Sequence, residues 1–250
     1  MEDVLKNNIS LIRGDCLIEM KNIPDKSVDM VLSDIPYGTT ACKWDVVIPF
    51  EPMWEQLKRI TKDNGAICLF GSEPFSSALR MSNIKMFKYD WIYQKSHAVG
   101  FLNCKKQPLN QHEIISVFNA KNYYPQLQDK PKENIRPKKI KPRLTDSYGK
   151  FNAGDTRTIP IDKTYPKSVI KFNRDQQKFH PTQKPVALLE YLIKTYTLEN
   201  ETVLDFTAGS FSTGVACVNI GRNFIGIEKD ERYFNIGVNR VKQRIENAKV

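Results

Sequence analysis

The chain has 250 residues, of which 40% are hydrophobic and 10% aromatic, a composition typical of a globular protein. Its mean hydropathy is −0.47, and no apolar run approaches the roughly 18 residues of a membrane span. The N-terminal sequence MEDVLKNNIS is acidic and polar, which does not fit a secretory signal. We therefore expect a soluble, cytoplasmic protein.

The five cysteines are odd in number and widely separated, and no two of them form a C-x-x-C pair. This arrangement fits neither a disulfide framework nor a zinc site, so we expect reduced thiols and no bound metal. Lysine and arginine together exceed aspartate and glutamate by 10. Such an excess favours a polyanionic partner when it is concentrated in one region.

Nearly all of the excess positive charge lies in residues 119–178, which contain 15 lysines and arginines against 6 aspartates and glutamates. Six aromatic residues are interspersed among these charges: Tyr123, Tyr124, Tyr148, Phe151, Tyr165 and Phe172. Basic charge with interleaved aromatic rings suits a groove that follows phosphates and contacts bases. The stretch KPKENIRPKKIKPR is equally typical of a solvated loop, and both interpretations stay open. The candidate phosphate contacts within it are Lys138, Lys139, Lys141 and Arg143.

Outside this basic region, short apolar runs alternate with amphipathic stretches, which indicates an α/β fold with a largely parallel sheet. In chain order, the predicted strands are residues 10–13, 28–33, 66–70, 90–93, 113–118, 202–206 and 223–228. Two helical faces follow the basic region and are expected to cover the sheet. They consist of Leu188, Leu189, Leu192, Ile193 and Tyr196, and of Phe234, Val238, Val241 and Ile245.

Two of the predicted strands end in residues that suit a binding site. Residues 34–37 (DIPY) follow the second strand, and residues 205–214 (DFTAGSFSTG) end the sixth strand and lead into a helix. Ligands of open α/β sheets bind beyond the carboxyl ends of the strands. These two segments are therefore the first candidates for a functional site.

The segment from Thr207 to Gly214 is rich in small residues and joins a buried strand to a helix. Backbone amides in such a loop can approach and face a ligand. Glu228 ends the next strand, 23 residues after Asp205, where an acidic side chain suits ribose hydroxyls. A tight strand-to-helix turn without a ligand is an equally good interpretation of the loop alone. The dinucleotide pattern G-x-G-x-x-G and the Walker lysine are both missing, so neither NAD nor ATP is favoured.

Residues 34–37 are the more specific signal. The Asp34 carboxylate and the neighbouring Ile35 carbonyl, held by Pro36 at a strand end, can both accept hydrogen bonds from one exocyclic amine. Tyr37 can stack on the ring that bears this amine. Without further context, a common Pro-Tyr-Gly turn capped by Asp34 explains the same residues.

Together these segments resemble the S-adenosylmethionine-dependent amino-methyltransferases of DNA. The family's D-P-P-Y type tetrapeptide corresponds to residues 34–37, and its D-P-F-x-G-S-G-T-T type cofactor loop corresponds to residues 205–213. The tetrapeptide precedes the loop, which is the order of the family's β group. The chain is similar to the adenine-specific enzymes of bacteria and phages nearly from end to end. These matches are residues 14–16, 34–45, 70–75, 112–113, 165–169 and 180–185.

The resemblance implies a catalytic role for Asp34, Ile35, Pro36 and Tyr37. Asp34 and the Ile35 carbonyl would hold the target amine, and Tyr37 would stack on the flipped base. The lone pair of the amine would then leave conjugation with the ring and face the sulfonium methyl group.

The resemblance also implies contacts to S-adenosylmethionine. Asp15 would approach the cofactor adenine, Glu228 its ribose, the cofactor loop its methionine part, and the segment from His180 to Lys184 its carboxylate end. The full implied set is Asp15, Cys16, Asp34, His180, Thr182, Gln183, Lys184, Asp205, Phe206, Thr207, Gly209, Ser210 and Glu228.

The implied architecture is a permuted Rossmann-like methyltransferase fold, with a seven-stranded, mostly parallel sheet and an inserted basic target-recognition region. The strands of Asp205 and Glu228 would lie beside the strand at residues 10–13, so that all site segments meet at one edge. Residues 1–118 would form the catalytic part, residues 119–178 the insert, and residues 179–250 the cofactor-binding part.

Two residues depart from the family pattern. Ile35 stands where proline is usual, but the required acceptor is a main-chain carbonyl, which isoleucine retains. Phe211 replaces the second glycine of the cofactor loop, so its side chain must either point away from the cofactor or crowd the loop.

The leading hypothesis is a DNA adenine N6-methyltransferase. Cytosine N4-methylation is the first alternative, disfavoured because that group more often has serine where Asp34 stands. A catalytically silent DNA-binding homologue, suggested by Phe211, is the second. The expected partner is double-stranded DNA, and no association with a membrane is expected. A homodimer and a cognate restriction endonuclease are further hypotheses.

Overall fold

The computed structural model describes residues 2–5, 8–39, 42, 45–135 and 159–248, which form eleven strands and six α-helices. The strands are β1 (Glu2–Leu5), β2 (Ile9–Arg13), β3 (Val28–Ser33), β4 (Thr61–Gly71), β5 (Phe87–Val99), β6 (Asn110–Asn119), β7 (Gln128–Asp129), β8 (Lys163–Thr164), β9 (Val169–Phe172), β10 (Thr202–Asp205) and β11 (Asn223–Glu228). The helices are α1 (Cys16–Glu19), α2 (Phe50–Ile60), α3 (Phe75–Ser82), α4 (Val186–Tyr196), α5 (Ser212–Asn219) and α6 (Glu231–Asn247).

Nine strands form the main sheet, in the order β1-β2-β11-β10-β3-β4-β6-β5-β9. Strands β2, β11, β10, β3 and β4 run parallel to one another, whereas β6 is antiparallel to both β4 and β5. The last two strands of the chain therefore lie between β2 and β3. This order confirms the predicted permuted, mostly parallel α/β fold.

All seven predicted strands are present, but the predicted number of strands in the sheet is wrong. The main sheet gains β1, antiparallel to β2, and β9, parallel to β5, at its two edges. Both are only four residues long, and in β9 only Ile170 is buried. An edge strand needs little apolar surface, so its sequence carries a weak hydrophobic signal.

The sheet is buried on both faces because alternate residues of its central strands enter two different hydrophobic clusters. In β4, Ala66, Cys68 and Phe70 belong to one cluster, while Ile67 and Leu69 belong to the other. Helices α4, α5 and α6 cover the first face, and α2 and α3 cover the second. The two helical faces predicted from the sequence are among those that pack against the sheet.

The chain divides into two compact units. The larger unit comprises residues 1–124 and 168–250 and holds the main sheet. The smaller unit, residues 125–167, is narrower than the insert predicted at 119–178 and contains the antiparallel pair of β7 and β8. Lys138, Lys139, Lys141 and Arg143 lie outside the described residues. Over the part of the chain that the structure describes, no helix is long and apolar enough to cross a membrane.

Candidate active site

The carboxyl ends of β2, β3, β10 and β11 bring four sequence segments to one edge of the sheet. A cavity of about 700 Å³ opens there, which is within the range of small-molecule and cofactor pockets. Every residue that the resemblance assigns to the cofactor lines this cavity: Asp15, Cys16, Asp34, His180, Thr182, Gln183, Lys184, Asp205, Phe206, Thr207, Gly209, Ser210 and Glu228.

A second cavity of about 350 Å³ adjoins the first. All four residues of the DIPY segment line it, together with Lys95 and Glu113 from β5 and β6. The two cavities share six lining residues: Asp34, Pro36, His180, Thr182, Gln183 and Lys184. Asp34 therefore stands at the boundary between a larger and a smaller binding space.

The turn of the DIPY segment is held by a carboxylate eight residues further on. Asp45 accepts hydrogen bonds from the backbone amides of Tyr37, Gly38 and Thr39, at 2.8–2.9 Å. Gly38 has a φ of +69°, a conformation that favours glycine. These bonds define the backbone path that follows Asp34 and direct the Tyr37 side chain back to it.

Tyr37 contacts Asp34 directly. Its hydroxyl donates to Oδ1 of Asp34 at 2.5 Å, and its ring stacks on the Phe75 ring with centroids 5.2 Å apart. Burial, followed by the charge of Asp34, raises the pKa of the Tyr37 hydroxyl, which therefore stays protonated and remains a donor. The Ile35 side chain is in the core, and no hydrogen bond reaches its carbonyl from any residue described.

Asp205 ties the cofactor loop to β3. Its carboxylate accepts hydrogen bonds from the hydroxyls of Ser33 and Thr213, both at 2.6 Å, and from the Thr207 amide at 3.2 Å. The residue is only 5% exposed. Burial raises its pKa to about 6, although these hydrogen bonds oppose the rise. The Asp205 carboxylate is thus engaged in organising the loop.

The loop after β10 turns at Gly209, which has a φ of +53°. The Gly209 amide donates to Oε2 of Glu228 at 2.7 Å, and the Asp230 amide donates to Oε1 at the same distance. Glu228 thus connects the carboxyl end of β11 to the cofactor loop. Burial raises its pKa, and the two amide bonds oppose this change. Each carboxylate oxygen retains a second lone pair for a hydroxyl in the cavity.

Phe211 points away from the larger cavity. It has a φ of +55°, is fully buried, and packs its ring edge-on against Phe224 and Phe234. A Cβ atom at Gly226 or Gly237 would collide with the ring, so these two glycines make the space for it. Of the two alternatives that the sequence left open, the structure therefore has the one in which Phe211 points away from the cofactor cavity and into the core.

The segment from His180 to Gln183 is fixed by local hydrogen bonds. Gln183 donates to Asp175 at 2.8 Å and accepts from the Phe179 amide at 2.9 Å. The His180 ring packs against the Tyr233 ring with centroids 4.1 Å apart. Burial, with the nearby charge of Lys184, lowers the pKa of His180 to about 4. His180 therefore presents a neutral imidazole to both cavities at neutral pH.

Lys184 lines both cavities, and its ammonium group contacts two carboxylates: Asp34, where the cavities meet, and Glu113 of the smaller cavity. Its Nζ lies 2.5 Å from Oδ2 of Asp34 and 3.2 Å from Oε2 of Glu113. Glu113 also pairs with Lys95, at 3.4 Å. The resemblance associates Lys184 with the carboxylate end of the cofactor, whereas the structure pairs it with Asp34.

Three further residues of the site, Asp45, Lys95 and Glu113, have no role in the motifs described above. Asp45 and Glu113 fall within the matched segments, and Glu113 directly precedes the buried run of β6, where a carboxylate is unusual. A carboxylate next to a buried strand was therefore the signal by which Glu113 could have been found. Lys95 has no comparable signal, because one lysine in a strand is ordinarily solvated.

The comparison with known families is consistent with this geometry. The family model described as DNA methylase, for N6 and N4 enzymes, matches residues 28–239, which include both strand-end motifs. The chain belongs to the DNA methylase family. A curated relative, the DNA adenine methyltransferase YhdJ of Escherichia coli strain K12, is 30% identical over 93% of this chain and 82% of its own length.

Another curated relative and two solved structures align over nearly the whole chain. The type II methyltransferase M.HinfI of Haemophilus influenzae is 25% identical over 96% of this chain and 71% of its own. The structure of the M1.HpyAVI–SAM complex has a TM-score of 0.61 at 22% identity, covering 92% of this chain and 98% of that one. The PvuII DNA methyltransferase, named as cytosine-N4-specific, has a TM-score of 0.65 at 13% identity, covering 96% of this chain and 92% of that one. At these identities the structural matches show the shared fold.

Proposed function

We propose that this DNA methylase transfers a methyl group from S-adenosylmethionine to N6 of an adenine in double-stranded DNA. The observation that carries the proposal is the position of Asp34, whose carboxylate lies where the two cavities meet. One cavity has the size and lining of a cofactor site, and the other is lined by the DIPY segment. The DNA adenine methyltransferase YhdJ, 30% identical, supports adenine as the target.

The residues of the larger cavity fit S-adenosylmethionine. The carboxylate of Glu228 has spare acceptor capacity for ribose hydroxyls, and Gly209, whose amide holds this carboxylate, lines the same cavity. Phe211, the one bulky departure in the loop, lies outside this cavity. When bound, S-adenosylmethionine supplies an electrophilic methyl group on its sulfonium.

The chain's own residues then prepare the amine. Asp34 and the Ile35 carbonyl accept hydrogen bonds from the two N–H groups of the adenine amine, which draws the amine's lone pair out of conjugation with the ring. Tyr37 holds Asp34 by its hydroxyl, and the face of its ring that is not stacked on Phe75 would pack against the flipped base. Extrusion of the base costs a few kcal/mol, which stacking partly offsets. The remaining requirement is that the amine nitrogen, the methyl carbon and the sulfonium sulfur lie in line. Two cavities that meet at Asp34 support this alignment.

We further propose that residues 119–178 recognise the DNA target, because this region carries nearly all of the chain's excess positive charge. Lys138, Lys139, Lys141 and Arg143 are the proposed phosphate contacts. A homodimer, a cognate restriction endonuclease and a cytoplasmic location stay predictions.

The test is expression in a host without DNA methylation, followed by base-resolved methylation sequencing. We expect N6-methyladenine at one short recognition sequence, and none with the matched Asp34→Ala variant. N4-methylcytosine instead would establish the alternative target. An unmodified genome, together with no calorimetric binding of S-adenosylmethionine, would identify a silent DNA-binding homologue.

A further inference from the structure

Four charged side chains form a chain of ion pairs that includes Asp34 of the DIPY segment, with its carboxylates partly exposed, Asp34 at 21% and Glu113 at 18%. Lys184 lies between Asp34 and Glu113, at 2.5 and 3.2 Å, and Lys95 contacts the other oxygen of Glu113 at 3.4 Å. Lys95 and Lys184 are 7% and 8% exposed. The four groups come from four places in the fold: the end of β3, β5, β6 and the segment before α4.

The charges of this cluster balance, since two carboxylates face two ammonium groups. A buried carboxylate without a cationic partner tends to take up a proton instead of staying charged. The pKa of Asp34 is raised overall: burial raises it most, the charge of Lys184 opposes this rise, and the charge of Glu113 adds to it. Burial lowers the pKa of Lys184, but Asp34 and Glu113 more than offset this effect and leave it raised. Lys184 therefore carries its positive charge at neutral pH.

The ionisation state of Asp34 decides what it can accept. Its Oδ1 already accepts from Tyr37 and its Oδ2 from Lys184, so the target amine must use a remaining lone pair. Protonation would occupy such a lone pair and remove the negative charge that favours the developing positive charge on the amine.

We propose that Lys184 is a positioning residue for methyl transfer, which keeps Asp34 ionised and holds its Oδ2 in place, with Glu113 as the counter-ion that sets the strength of this effect. The inference rests on the proposed function, in which Asp34 accepts the target amine. It differs from a contact between Lys184 and the cofactor carboxylate, because its consequence falls on turnover and its pH dependence and not on cofactor affinity.

The titratable and charged groups around Asp34 determine the expected pH profile. They are Tyr37 and Asp45 after β3, Tyr93 and Lys95 on β5, Glu113 on β6, Arg174, Asp175, Lys178, His180 and Lys184 before α4, and Asp205 on β10. Protonation of Asp34 should make the rate fall at low pH, which gives the pH–rate profile an acid limb. Removing the positive charge of Lys184 should move this acid limb to higher pH. Removing the negative charge of Glu113 should move it to lower pH. Loss of folding stability cannot by itself produce these opposite shifts.

The experiment measures single-turnover transfer of a tritiated methyl group from S-adenosylmethionine to unmethylated bacterial DNA, from about pH 5.5 to about pH 9. It compares the wild type with Lys184→Met, Lys184→Arg, Glu113→Gln and Lys194→Met. The last variant is the matched control, because it makes the same substitution at an exposed lysine of α4. We expect Lys184→Met to lose roughly 100-fold at neutral pH and to recover partly at high pH. Lys184→Arg should retain more activity, and Lys194→Met should match the wild type.

Calorimetry with S-adenosylmethionine separates this role from cofactor binding. We expect the affinity of Lys184→Met to stay within about threefold of the wild type, because the ammonium group is paired with Asp34. A tenfold loss of affinity with an unmoved acid limb would overturn the inference and assign Lys184 to the cofactor. Unmoved limbs in both Lys184→Met and Glu113→Gln would also overturn it. If the wild type transfers no methyl group at any pH, the proposed function itself is wrong.

Discussion

The hydroxyl of Thr207 donates a hydrogen bond of 3.2 Å to the main-chain carbonyl oxygen of Asp34. The same hydroxyl lies 2.8 Å from that of Ser33, which in turn donates to Asp205. The cofactor loop and the DIPY segment are 173 residues apart in the chain, yet this short chain of hydroxyls links them. Methyl transfer depends on the relative position of donor and acceptor, so these contacts serve the alignment step.

The first prediction concerns Asp34. Asp34→Ala removes an acceptor whose interaction strengthens as the amine leaves conjugation, so turnover should fall roughly 100-fold or more. Cofactor affinity, measured by calorimetry, should change far less. Asp34→Asn retains an amide oxygen as acceptor and should keep partial activity.

Asp34 stands at a ligand-facing strand end, so both variants should fold like the wild type by circular dichroism. A near-parental rate for Asp34→Ala would contradict the proposed role. Loss of activity together with loss of the folded spectrum would equally deprive Asp34 of a catalytic role.

The second prediction concerns Phe211. Phe211→Gly deletes a fully buried ring, which costs about 3–5 kcal/mol, and glycine at a positive φ returns about 1 kcal/mol of this. Urea unfolding should show a net loss of about 2–4 kcal/mol. Affinity for S-adenosylmethionine should stay equal or increase, because the ring lies outside the cofactor cavity.

Phe211→Leu is the matched control, since it leaves a smaller cavity and keeps the strained backbone. It should unfold at an intermediate denaturant concentration. If affinity for S-adenosylmethionine fell tenfold in Phe211→Gly at a temperature where the variant is folded, Phe211 would be supporting the cofactor site.

The third prediction uses the buried Asp205. Its pKa of about 6 lies above the ordinary value of 3.8, so the folded state binds a proton more tightly than the unfolded state. The associated stability is present at low pH and is lost as the pH rises through about 6. Asp205→Asn resembles the protonated carboxyl and does not titrate.

The measurement is the free energy of unfolding of both proteins at about pH 8 and about pH 4.5. Relative to Asp205→Asn, the wild type should gain on the order of 2 kcal/mol at the lower pH. A constant difference would mean that Asp205 does not titrate with a raised pKa.

The fourth prediction concerns the basic insert. Replacing Lys138, Lys139, Lys141 and Arg143 with glutamine should weaken DNA binding at low salt. The slope of log affinity against log salt should flatten by roughly one unit for each phosphate that is no longer neutralised. Fluorescence anisotropy with a DNA duplex at several salt concentrations measures both quantities.

The matched control replaces the exposed residues Lys58, Lys85, Lys88 and Lys194 with glutamine. They precede or begin β4, β5 and β10 and so lie away from the strand ends that form the two cavities. This variant removes the same formal charge and should retain the wild-type slope. Equal salt slopes for the two variants would show that these residues of the insert do not contact the DNA phosphates.

Local patterns in the sequence were sufficient to predict which two motifs lie together at the edge of the sheet. Apolar runs identified seven strands, and the motifs after β3 and β10 stand at carboxyl ends, which neighbouring parallel strands bring together. The strands and their ends follow from local periodicity and strand direction, which the order of residues encodes directly. The cofactor residues, from Asp15 to Glu228, came from the family resemblance, and they line one cavity.

The partner of each polar or bulky side chain became visible in the folded chain. Lys184 and Asp34 are 150 residues apart in the chain, and no local pattern distinguishes an ammonium group on Asp34 from one on a cofactor. The direction of Phe211 depends on the space left by Gly226 and Gly237 on other elements. Short-range sequence determines backbone periodicity, whereas ion pairing and side-chain packing depend on surfaces that become neighbours only when the chain folds.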